Sequence, residues 1–226
     1  MEFTTIKIAG ADALRVLDEH RARYPATRQY PFLIGDAEDL EMLEEYTEDE
    51  AVDPAEVLRA SLDVDPVAWI AERRASIEED SDGWDDAEIV GEWPDGEVGD
   101  MEIGLHKDVV TGAIKPAVYL GLATVDEPWQ LPAILNYGNW NDCPPPEVHA
   151  AFHRDWLRRY GAEIVGMSND VVQCLVKNPP RERDAAMELA WEQYRYCSDI
   201  VEQGCGSIAN LAATLLDSPC WYFWWD

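Results

Sequence analysis

The stretch EIVGMSNDVVQCLV, running from Glu163 to Val176, decides the fold of this chain. Two apolar runs, Glu163 to Met167 and Val171 to Val176, flank Ser168-Asn169-Asp170, and a run, a tight polar turn and a second run predict a β-hairpin. Upstream, Val148, Phe152 and Trp156 recur at i, i+4 and i+8, which predicts a helix from about Pro146 that stops at Gly161. Further upstream, Ala117 to Val125 is nearly continuous apolar sequence, as in a buried strand, whereas Pro132 limits Leu131 to Tyr137 to an edge strand or a loop. Downstream, Asn178-Pro179-Pro180 opens a longer helix whose expected core stripe is Met187, Trp191 and Tyr194. Ser207 caps a last helix through Leu215, and Cys220 to Trp225 closes the chain as an aromatic strand, expected to be central and buried on both faces. The order is strand, helix, strand, strand, helix, helix, strand. It predicts an α+β fold whose C-terminal part is a ferredoxin-like split βαβ layer with one extra helix.

The first 35 residues read as strand, helix, strand. Phe3 to Ile8 alternates; Ala13, Val16, Leu17 and His20 form a helical stripe closing near Tyr24-Pro25; Tyr30 to Ile34 is a short apolar run stopped by Gly35-Asp36. A helix over Asp39 to Tyr46 carries Leu40 and Leu43 on its one apolar stripe. Asp53-Pro54 and Asp65-Pro66 each place a capping carboxylate before a proline suited to the first helical turn, so two more helices start there. Residues 80–100 carry five Gly and Pro and read as loops and short strands. The division is an acidic α/β region over 1–110 and an α+β domain over 111–226; whether the two share one core is open.

Charge separates the two regions more sharply than any motif. From Asp36 to Glu102 there are 26 Asp and Glu against three Arg and no Lys, so this segment holds most of the formal net charge of −29. A like-charged surface repels itself, a cost that solubility or a partner must use. Its natural partner is basic, and nucleic acid is excluded because phosphates would be repelled. A hydrophobic fraction of 47% with ten Trp excludes a wholly disordered chain. No basic start and apolar run marks a secretory signal in the first residues, no apolar stretch approaches the roughly 20 residues of a spanning helix, and five scattered Cys predict reduced thiols in the cytoplasm.

Four separated motifs carry a family resemblance: Trp140-Asn-Asp-Cys-Pro-Pro-Pro146, Tyr160-Gly-Ala-Glu-Ile-Val-Gly166, Gln193-Tyr-Arg-Tyr-Cys-Ser-Asp-Ile-Val-Glu-Gln-Gly204 and Trp221-Tyr-Phe-Trp-Trp-Asp226. In this order they resemble the bacterial domain-of-unknown-function family 4253, over roughly Ala117 to Asp226. Tyr30-Pro-Phe-Leu-Ile-Gly35 is similar to the extension often joined to that domain, and Ser198 stands where the family pattern has proline. The resemblance implies a soluble bacterial protein of a kind found beside toxin genes. It brings no activity with it.

The residues themselves suggest two chemistries. The leading expectation is a non-enzymatic protein that binds and neutralises a basic protein, as an immunity protein or a nucleic-acid mimic would. Its partner-binding carboxylates are Asp36, Glu38, Asp39, Glu41, Glu44, Glu45, Glu48, Asp49 and Glu50, with Asp80, Asp82, Asp85, Asp86 and Glu88. The alternative is a small Cys/His hydrolase or metal-dependent enzyme built on Cys143, His149 and His153, the two His at i, i+4 on one helix, with Asp142 beside them. For Asp142 itself, capping of the helix that follows is the stronger reading. Glu78 to Ile89 resembles the start of a calcium loop, but Asp85 and Ile89 stand where an apolar residue and a bidentate Glu are required, so it reads as an acidic solvated turn. No phosphate-cradling glycine loop, HExxH helix or GxSxG elbow is present, and no cofactor is expected. A third reading gives the charge no partner at all and assigns it to the solubility demands of the host.

Overall fold

A computed structural model describes residues 3–48, 52–80, 89–96, 98–99 and 101–226, the side chains of 46, 48 and 76–80 excepted. Among them, six strands form one mixed sheet: β1 (Phe3–Ala9), β2 (Gln29–Gly35), β3 (Ala117–Thr124), β4 (Ala162–Met167), β5 (Val171–Val176) and β6 (Cys220–Trp224). Their spatial order is β1-β3-β2-β4-β5-β6. Every neighbouring pair is antiparallel except β2 and β4, which run parallel with Leu33 opposite Gly166. Helices α1 (Ala13–Thr27), α2 (Ala37–Glu48), α3 (Pro54–Ser61) and α4 (Pro66–Asp80) come before β3. After it come the single turn α5 (Leu131–Ile134), then α6 (Pro146–Tyr160), α7 (Arg183–Tyr196) and α8 (Ile208–Leu215).

The fold is α+β, and local chemistry sets its boundaries. The Asp53 carboxylate accepts from the Ala55 amide at 2.9 Å and that of Asp65 from the Val67 amide at 3.0 Å, which starts α3 and α4 at their prolines. Ser207 Oγ accepts from the Asn210 amide at 3.1 Å at the start of α8. Gly161, at φ 61°, ends α6 in the left-handed region. The hairpin between β4 and β5 turns where Ser168 Oγ donates to Asp170 Oδ1 at 2.9 Å and accepts from the Val171 amide at 3.1 Å. Gly121 lies opposite Phe32, and a Cβ there would stand 2.3 Å from the Phe32 ring, so β3 carries glycine at the centre of the sheet to admit a phenylalanine from β2.

Several sequence expectations need correction. The strand order is not ferredoxin-like: that order would set β6 against β3, whereas β6 pairs only with β5 and β2 fills the place between β3 and β4. The N-terminal strands thus enter the same sheet as the C-terminal ones, and a single buried cluster runs from Phe3 and Phe32 through Phe152 and Trp156 to Trp225. β6 is an edge strand whose pleat turns Trp221 and Phe223 inward, with Trp225 just beyond it, while Tyr222 and Trp224 stay half-buried on the other face. Residues 131–137 start as a helical turn, because Pro132 fits its first positions. In α7 the buried stripe is Ala186, Leu189, Ala190, Gln193 and Tyr194; small alanines bring the helix close to its neighbours, and Met187 and Trp191 are left half-buried. α1 runs through Pro25 to Thr27 and stops only where Arg28 turns left-handed at φ 59°.

The two faces of the sheet are covered differently. One carries α6, α7 and α8 over a dense aromatic core, in which Trp156 stacks on Phe223 at 5.2 Å between ring centroids. The other is covered by α1, through Ala13 and Leu17, and by the loop bearing Ile103 and Leu105. Gln173, buried on β5, ties that loop down by accepting from the amides of Gly104 at 2.9 Å and Leu105 at 3.2 Å.

Candidate functional site

The helix spacing that suggested a Cys/His centre builds something else. His149 and His153, one turn apart on α6, clamp the Tyr196 hydroxyl from the end of α7: His149 Nδ1 and His153 Nε2, the latter at 3.2 Å, both face it. The outer ring nitrogens meet thiols, His149 Nε2 at 3.3 Å from Cys143 Sγ and His153 Nδ1 at 3.8 Å from Cys174 Sγ. Cys143, His149 and His153 therefore do not converge on one point, and among the described residues no group of His, Cys, Asp and Glu is placed to hold a metal ion. Burial drives the His149 imidazole far below its ordinary pKa, with His153 adding to the effect, and lowers His153 to about 3. The same burial raises the thiols of Cys143 and Cys174 and the Tyr196 phenol. Every group in the row is held neutral.

Neutral groups satisfy the row in either of two directions. Cys174 donates to His153 Nδ1, His153 Nε2 to the Tyr196 oxygen and Tyr196 to His149 Nδ1, or each of these bonds runs the other way. With no charge and almost no exposure, the row is a polar lock inside the aromatic core. Asp142 does not cap α6, which begins four residues later at Pro146; its carboxylate instead accepts from Arg73 of α4 at 2.7 Å.

The acidic set divides into three. Asp36 and Asp39 are not free: Lys115 Nζ reaches them at 2.9 and 2.7 Å, and Asp39 Oδ2 also accepts from the Asp36 amide at 2.7 Å. Burial opposes charge at Lys115 and Asp36, yet their mutual bonds hold the lysine above and Asp36 below its ordinary pKa. Glu38, Glu41 and Glu45 are exposed on α2 and meet no basic side chain among the described residues, while Glu44 is half-buried. Glu48 and Asp80 close α2 and α4; Asp49, Glu50, Asp82, Asp85, Asp86 and Glu88, with most of the calcium-like turn, lie outside the described residues.

Sequence reasoning missed a cavity of about 670 Å³ on one edge of the sheet. The C-terminal ends of β2, β4 and β6 and the N-terminal ends of β3 and β5 all meet at this edge, and ligands favour the carboxyl ends of parallel strands such as β2 and β4. Asp36, Asp39 and Lys115 line one side, Ser168 and Asp170 the floor, Tyr222 and Trp224 the β6 side, and the 102–112 loop the rim. Asp170 Oδ1 accepts from Ser168 Oγ and its Oδ2 from the Trp224 indole at 3.1 Å, but no basic side chain meets it among the described residues. Burial lifts the Asp170 carboxyl above its usual range despite those two donors. Its charge in turn helps burial push the Tyr222 phenol up to about 12. The Ser168-Asn-Asp170 turn and the half-polar alternation of Tyr222 and Trp224 were the only traces of this site in the sequence.

Residues 119–226 match the model of a family described as a domain of unknown function (DUF4253). No curated protein and no solved structure matches the chain. The match starts within β3, so β1, α1, β2 and the acidic helices α2 to α4 precede it, and the four motifs that suggested the family all lie inside it. The family that the four motifs suggested is thus matched over residues 119–226.

Proposed function

We propose that this protein is a cytoplasmic, non-enzymatic inhibitor that binds and neutralises a basic protein, in the manner of an immunity protein or a nucleic-acid mimic. The observation that carries the reading is the outer face of α2. Glu38, Glu41 and Glu45 stand exposed at i, i+3 and i+7 without basic neighbours among the described residues, on a chain of net charge −29. Three carboxylates along about 10 Å of helix form a row of negative charge that a basic surface complements. Occlusion of those cations is the mechanism, with long-range attraction speeding the encounter. The five cysteines are all free, in keeping with a reducing compartment. Burial of Cys143 and His149 in neutral form lends the Cys/His hydrolase reading no support.

The test immobilises the protein, passes host extract over it at low salt and elutes at about 0.5 M salt, where the Debye length shrinks to a few ångströms. A basic protein captured by wild type, released by salt and not retained by the Glu38→Lys/Glu41→Lys/Glu45→Lys variant is expected. Equal capture by the variant refutes the α2 surface.

A further inference from the structure

We infer that the cavity at the sheet edge is a binding site for an organic cation, the guanidinium of an arginine side chain, which pairs with Asp170 and packs on the rings of Trp224 and Tyr222. Five carboxylates line the cavity (Asp36, Asp39, Glu102, Asp108 and Asp170) against two lysines, so its field attracts cations. Both lysines are already engaged, Lys115 by Asp36 and Asp39, and Lys107 by Glu102. Asp108 is turned to its own loop, accepting from the Thr111 amide at 2.7 Å and hydroxyl at 2.6 Å. That leaves Asp170, which meets no basic side chain among the described residues and is bonded directly to the aromatic side through Trp224. It is fixed by Ser168 and the Trp224 indole, so its remaining lone pairs are oriented before any ligand arrives.

The aromatic side fits the same chemistry. Tyr222 and Trp224 sit two residues apart on the edge strand, on one face of its pleat, and both are half-buried. Aromatic faces beside a carboxylate recognise planar guanidinium best, since it stacks and donates at the same time. At about 670 Å³ the cavity lies within the range of small-ligand sites and holds an arginine side chain with room to spare. The α2 surface begins at the cavity rim, where Asp36 and Asp39 precede Glu38 and Glu41 around the first turn, so an arginine of a basic protein docked on α2 reaches the cavity. The inference rests on the proposed function for this source of the cation.

The experiment uses full-length protein and the blocked amino acid N-acetyl-arginine amide, followed by the indole N–H resonance of Trp224, which a Trp224→Phe variant assigns. Saturable movement of that resonance is expected, with no movement from the uncharged N-acetyl-citrulline amide. Asp170→Asn, checked by thermal melt to be folded, should weaken the arginine probe by about tenfold or more. Equal binding of the citrulline probe, an unchanged affinity in folded Asp170→Asn, or no saturation with arginine amide overturns the site. Tighter binding of free agmatine than of the blocked arginine assigns the cavity to a small amine and overturns the partner side chain as its ligand. The probe needs no partner protein, so failure of host-protein capture and failure of the cavity are read separately.

Discussion

The acidic helices α2 to α4 and the C-terminal helices α6 to α8 are built in opposite ways. Around α6 and α7, His149, Phe152, Trp156, Tyr196, Trp221, Phe223 and Trp225 pack ring against ring, and nearly every neighbouring pair meets edge-on or stacked. Over α2 and α3 the buried side chains among those described are Leu43, Val57 and Ser61, and exposed carboxylates predominate around them. Trp69 of α4 joins the two, edge-on to Phe152 at 5.4 Å, and Arg154 of α6 donates to the Ser61 carbonyl of α3 at 3.1 Å. Substitutions in the first region should therefore act on stability, and those in the second on what the protein meets.

The largest effect breaks the comparison at its base. Residues 111–226 expressed alone lose β2, the strand between β3 and β4, and should show no cooperative thermal transition. A sharp melt equal to that of the full chain would prove the C-terminal half self-sufficient. Next, Trp156→Ala should cost about 3–5 kcal/mol in urea titrations, because a fully buried indole leaves a cavity that its ring neighbours fill poorly; a loss below about 1 kcal/mol would mean the aromatic core relaxes freely.

A smaller, pH-dependent effect follows from the histidines. Both have folded pKa values depressed below the ordinary 6.5, so the unfolded chain binds protons that the folded chain refuses. Their contribution is complete above pH 6.5 and drains away as the pH falls. The loss should be about 2 kcal/mol between pH 6.5 and about 5.5, a window above the carboxylate range. A urea midpoint that stays flat there would show that both imidazoles take up protons in the fold as readily as in the unfolded chain. The smallest stability change belongs to the acidic side. Reversing Glu38, Glu41 and Glu45 to Lys should shift stability by no more than about 0.5 kcal/mol, in either direction, while abolishing capture of a basic protein. A large drop in melting temperature would make α2 a structural element first.

What was legible in the sequence is what is decided within a few residues. Asp53-Pro54, Asp65-Pro66, Ser207 and Gly161 set helix ends through their own side chains or backbone, and Ser168-Asn-Asp170 set a hairpin. The place of β2 was not legible, since a strand records its pleat but not its neighbour across roughly 90 to 130 residues of chain. The face of α7 was misread because weight was given to Trp191 and Met187 over Ala186 and Ala190, and close helix packing favours the small residues. Among candidate site residues, the exposed glutamates of α2 could be placed from periodicity. Lys115 between Asp36 and Asp39, and Asp170 beneath Trp224, could not, because each contact joins strand ends that meet only in the assembled sheet.

That central position of β2 also sets the order of events when the chain folds. The hairpin of β4 and β5 closes over a three-residue turn, and β6 then pairs with β5, whereas seating β2 between β3 and β4 closes loops of about a hundred residues. The middle of the sheet thus contains its most distant pairing, β2 with β4, and the cost of seating that pair is chiefly loop-closure entropy. Substitutions in the β4–β5 turn should slow refolding, while Phe32→Leu opposite Gly121 should chiefly speed unfolding. Stopped-flow traces showing the reverse pattern would move the nucleus to β2. The parallel pairing that opens a cavity at the carboxyl ends of β2 and β4 is then the slowest part of the molecule to form.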